Sequence, residues 1–131
     1  MRQGIKSLLG PKPLLGIAIT YTLLITAALL TPITGAPKIE IPFADKMVHL
    51  IINAGLFVVW ASYVFSGKTK TTKTYTLPLL FVCTLLYGIL IEVIQVSFIP
   101  TRGADFFDVV ANVCGLILGF FAVKLTKKFI Y

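Results

Sequence analysis

Asp45, His49 and Asn53 are spaced four apart, and Asp105, Asp108 and Asn112 three and four apart, so each set lies along one face of a helix. Glu92 and Gln95 share a third face, and Lys46 and Arg102 add two cations. Carboxylates, amides, one imidazole and two basic groups in this pattern suit three kinds of chemistry. In the first, Arg102 and Lys46 hold a phosphate, the guanidinium in bidentate fashion, while Glu92, Asp108, Gln95 and Asn112 position them. In the second, His49 oriented by Asp45 is a general base, Arg102 stabilises developing negative charge and Glu92 is the acid. In the third, the groups only join helices through hydrogen bonds and ion pairs. A metal would need His49, Glu92, Asp105 and Asp108 to converge, and no spacing such as H-E-x-x-H supports that, so neither a metal nor a cofactor is expected.

The elements that carry these residues are apolar helices. The chain has 131 residues, 57% of them hydrophobic and 13% charged, and a mean hydropathy of +0.94. That composition lies outside the range of ordinary soluble domains. Spanning a hydrocarbon core takes about 20 mostly apolar residues, and four segments approach this length: 14–30, 47–65, 77–99 and 106–125. Pro32, Gly35, Pro37 and Pro42, then Ser66 to Thr74, then Pro100 to Gly103 punctuate them. The expectation is an all-α integral membrane bundle of four transmembrane helices, forming a single domain over 1–131. Arg2, Lys6 and Lys12 before the first segment resemble the flank of a secretory signal, but the apolar run is long for one, so an uncleaved helix is expected.

Nine basic residues fall at the N-terminus, in the second loop and in the tail, against three (Lys38, Lys46 and Arg102) in the other two loops. Excess Lys and Arg mark the cytoplasmic side, so both termini are expected inside. The net charge of +7 then reflects topology and anionic headgroups, not nucleic acid, because no continuous basic face exists. With this direction the polar faces of helices two, three and four meet in one outer layer, where Glu92 lies about 10 Å below the outer end of its helix. A charge at such depth costs about 2.5 kcal/mol or more and needs a partner, for which Arg102 is the favoured choice.

The stretch from Glu92 to Gly119, with Gln95, Arg102, Asp105, Asp108, Asn112 and Gly115, resembles the C-terminal signature of the VanZ-like family. Asp45-Lys46-Met-Val-His49 resembles its other signature. Gly103 stands where serine is frequent in that family, which argues against a hydroxyl role there. The resemblance implies a modulator of the bacterial envelope on the extracytoplasmic side, its founding member being linked to teicoplanin resistance without remodelling of the peptidoglycan precursor. The expected partner is therefore a membrane lipid, anionic or lipid-linked, bound in an outer polar pocket of a multi-pass protein of the cell membrane. The alternatives are an enzyme acting on a lipid-linked phosphate and a purely structural scaffold.

Gly115-x-x-x-Gly119 permits close helix approach, either within the monomer or in a homo-oligomer. Cys83 and Cys114 lie inside apolar helices, where small buried thiols without a disulfide are expected. Trp60 and Tyr63 suit an interfacial aromatic belt. No internal repeat and no phosphate-binding glycine loop is present, which speaks against a transporter or a nucleotide enzyme.

Overall fold

The computed structural model describes residues 10–32, 41–67, 75–101, 103 and 105–130, the last four by backbone alone. Four helices account for nearly all of them: α1 (Pro11–Leu30), α2 (Ala44–Ser66), α3 (Thr76–Phe98) and α4 (Phe106–Ile130). All four are long and apolar enough to cross a membrane, and there is no strand among the described residues. Large apolar side chains face outward on every helix, Leu23, Leu24, Leu86 and Leu118 among them. In water such a surface would drive aggregation; in lipid it is the solvated surface.

Local chemistry sets each helix end. Pro11 stands where a helix lacks use for a backbone N–H, so α1 starts there. Phe43, the residue before α2, has φ 64° and is the one non-glycine with positive φ among the described residues. This left-handed residue turns the chain after Pro42 and so sets the direction in which Asp45, Lys46 and His49 enter the bundle. Ile99 N–H still bonds Gln95 O at 3.0 Å, and Pro100 then stops α3. Asp105 caps α4: its Oδ1 accepts the Phe107 N–H at 2.9 Å.

Helix α2 packs most closely against α4, because Gly115 and Gly119 remove the side chains between them. A Cβ on Gly119 would lie 2.9 Å from Ala54 O and 3.0 Å from Phe57 Cβ, and one on Gly115 would run into the Leu50 carbonyl oxygen. The small-residue pair thus serves packing within the chain. Away from the polar layer, Phe57, Ala61, Leu116 and Val123 form an apolar core with Phe81 and Phe120 packed edge-on around it.

Two expectations need correction. Cys83 and Cys114 are free as expected, but both are exposed on outward helix faces; lipid solvates a thiol, so an apolar segment does not by itself bury it. Trp60 is half-buried and donates its indole N–H to Thr22 Oγ1 at 3.0 Å, so it ties α2 to α1 in addition to packing on Tyr63.

Candidate functional site

The polar residues gather at the end of the bundle where α1 and α3 finish and α2 and α4 begin. His49, Glu92 and Asn112 each lie five or six residues from that end of their helices, which is a common depth of about 8–9 Å. His49, Asn53, Glu92, Gln95, Asp108 and Asn112 are all buried. Unpaired polar groups at such depth cost several kcal/mol each, so their partners define the site.

At its centre is the amide of Asn112. Its Oδ1 accepts from Asn53 Nδ2 at 2.7 Å and lies 3.1 Å from His49 Nδ1. Asn53 Nδ2 also reaches the His49 carbonyl at 2.9 Å. An acceptor oxygen opposite Nδ1 places the ring proton there, and Glu92 Oε1, 3.3 Å from the same nitrogen, reinforces that choice. Nε2 lies on the other side of the ring, on the side of Asp45, and no hydrogen bond reaches it among the described residues. Gly88, one turn before Glu92, makes room for this network: a Cβ there would lie 3.4 Å from both Asn112 Nδ2 and Asn53 Oδ1.

The rim is an ion-pair cluster around Lys46. The ammonium is hydrogen-bonded to Asp105 Oδ2 and lies 3.1 Å from Asp108 Oδ1 and 3.8 Å from Asp45 Oδ2. Lys46, followed by the Phe107 backbone N–H, holds the Asp105 carboxyl below its ordinary range. The chain has five acidic residues in all, and four of them (Asp45, Glu92, Asp105 and Asp108) belong to this site.

Between α3 and α4 a cavity of about 370 Å³ opens beside the cluster, lined by Glu92, Val93, Val96, Ser97, Asp105, Phe106 and Val109. Val93, Val96 and Phe106 are exposed, so the groove faces sideways, toward lipid. Its lining combines two carboxylates, Glu92 and Asp105, with the apolar side chains of Val93, Val96, Phe106 and Val109.

The structure brings together Asp45, Lys46, His49, Glu92, Asp105, Asp108 and Asn112. Gln95 stands apart from them and joins two helices, its Nε2 donating to Leu29 O at 2.7 Å and so fastening α3 to the end of α1. Arg102, expected opposite Glu92 and in the phosphate clamp, lies outside the described residues; the described partner of Glu92 is His49. Asp45, expected to orient His49, stands on the Nε2 side of the ring as an i,i+4 pair. Asp45 Oδ1 is 3.9 Å from Nε2, too far for a hydrogen bond, while Asn112 Oδ1 is within hydrogen-bond distance of the other nitrogen and Glu92 Oε1 lies 3.3 Å from it. Sequence reasoning missed Gly88, although a small residue four before Glu92 on the same face was a signal for it.

A family model described as VanZ/LLP1 matches residues 13–127. No curated protein and no solved structure matches the chain.

Proposed function

The chain belongs to the VanZ-like (VanZ/LLP1) family, and from that premise we propose that it binds an amphiphile or lipid-linked envelope component sideways from one membrane leaflet, and thereby modulates susceptibility to envelope-directed agents such as teicoplanin. In this reading it is a multi-pass protein of the bacterial cytoplasmic membrane, its polar layer facing outside and both termini inside. The observation that carries the reading is the groove between α3 and α4, which is lined by the carboxylates of Glu92 and Asp105 and by the apolar side chains of Val93, Val96, Phe106 and Val109. A ligand that keeps its tail among lipid chains and its head in the polar layer matches this mixed lining, and neither part of it needs to leave its preferred solvent.

Native mass spectrometry of the detergent-purified protein tests this. The wild type retains a defined lipid. Val96→Trp, which fills the groove from a half-exposed position that makes no polar contact of its own, loses it at unchanged helix content. Equal retention by both proteins refutes lateral binding. In cells, teicoplanin susceptibility should shift with the wild type and not with Val96→Trp.

One observation favours a second reading, a membrane enzyme acting on a lipid-linked phosphate. His49 is bonded through Nδ1 while Nε2, on the side of Asp45, has no hydrogen-bond partner among the described residues, the posture of a general base. Turnover of such a substrate that disappears in His49→Ala would favour it over binding alone.

A further inference from the structure

We infer that Asp45, His49 and Asp108 form a site for a divalent transition-metal ion of the zinc class. One donor atom from each residue lies within 4.8 Å of the others. In a tetrahedral zinc shell donor atoms lie about 3.4 Å apart, so the three donors must draw somewhat closer together as the ion enters. The site is independent of the proposed amphiphile ligand.

Three acidic or imidazole groups near one another would not suffice; the state of His49 is what points to a metal. The side chain is 1% exposed, yet Nε2 has no hydrogen-bond partner among the described residues. Its other nitrogen is already committed to Asn112 Oδ1 at 3.1 Å, with Glu92 Oε1 3.3 Å away. Metal-bound histidines have this arrangement, in which one ring N–H is given to a carboxylate or carbonyl so that the opposite lone pair is fixed toward the ion. A buried imidazole lone pair with nothing to accept from otherwise has an unmet desolvation cost. The donor set of one nitrogen and two carboxylate oxygens suits zinc and its first-row neighbours and leaves coordination positions open at the rim.

Lys46 is the resident cation of this cluster. Its ammonium bonds Asp105 and lies 3.1 Å from Asp108 Oδ1. An entering metal displaces it from Asp108, and Asp105 keeps it. Lys46 therefore competes with the metal, and this gives the proposal a test that a purely structural cluster would fail.

The experiment is zinc titration of the full chain in detergent, carrying no histidine tag and with Cys83→Ser and Cys114→Ser in the background, followed by metal analysis and by the visible spectrum of the cobalt-substituted protein. The chain has a single histidine, so nitrogen ligation of cobalt reports on His49 alone. The expected result is one ion per chain, with affinity reduced at least tenfold by His49→Ala and by Asp45→Asn, the latter at a half-exposed rim position that leaves the fold intact. Lys46→Gln should bind on the order of tenfold more tightly, because a like charge is removed. Absence of stoichiometric zinc in the wild type, unchanged binding in both ligand variants, or weaker binding in Lys46→Gln overturns the assignment.

Discussion

Replacing Gly115 by Ala should damage the polar site from a distance, and the structure sets the size of the effect. A methyl group at this position would strike the carbonyl oxygen of Leu50 and lie 3.0 Å from its carbonyl carbon and 3.1 Å from its Cα. These are backbone atoms inside a helix, so no rotamer change relieves the contact and α2 and α4 must separate. Overpacking of a filled interface costs about 1–3 kcal/mol, and a rigid wall places the cost in the upper half, at about 2–3 kcal/mol. Gly115 is three residues from Asn112, and Leu50 adjoins His49. The same separation stretches the 3.1 Å contact between His49 Nδ1 and Asn112 Oδ1, which fails as a hydrogen bond beyond about 3.5 Å. Unfolding in mixed micelles followed by circular dichroism measures the loss, with Gly16→Ala as the control because nothing lies within 4 Å of a Cβ there. The histidine side-chain NMR signals report the ring environment in the same two proteins. Gly115→Ala as stable as Gly16→Ala, with an unshifted His49 ring, would refute the argument that this glycine sets the distance across the site.

Gln95→Leu removes the one side-chain bond from α3 to the Leu29 carbonyl and should cost about 0.6–1.7 kcal/mol, the range of hydrogen bonds between transmembrane helices; cross-linking between cysteines placed on α1 and α3 should show looser docking. Asp105→Ala should destabilise more than Asp105→Asn, since Asn retains the cap on Phe107 and loses only the pairing with Lys46; unfolding measurements of the three proteins give the order. The Asp105 carboxyl is held below its ordinary value in the folded chain, so the unfolded state binds its proton first as pH falls. Its contribution is therefore present above about pH 3.9 and lost as pH drops through the lower folded value. The stability gap between wild type and Asp105→Asn should stay constant from neutral pH to about pH 4 and close below it.

The reach of the sequence follows from the range of the forces involved. Four helices were legible because transfer from water to lipid acts residue by residue: each apolar run carries its own signal, and Pro32, Pro42 and Pro100 mark its limits wherever the remainder of the chain lies. The polar layer was legible for a related reason. Spacings of three and four place Asp45, His49 and Asn53 on one face and Asp105, Asp108 and Asn112 on another, and buried polar faces in lipid must meet one another.

Which atom meets which was a tertiary matter. Nothing in residue type distinguishes Gln95, which reaches across to Leu29 O, from Asn112, which sits at the centre of the network; helix rotation and crossing separate their roles. That Asn112 and Glu92 face the His49 Nδ1 while Asp45 faces Nε2 depends on the same rotation. The Gly115-x-x-x-Gly119 pair was equally compatible with a contact between chains until Leu50, Ala54 and Phe57 were seen against it. Hydrogen bonds and metal coordination discriminate over fractions of an ångström, a precision that helical periodicity does not carry, whereas hydropathy and spacing need only the right face and the right depth.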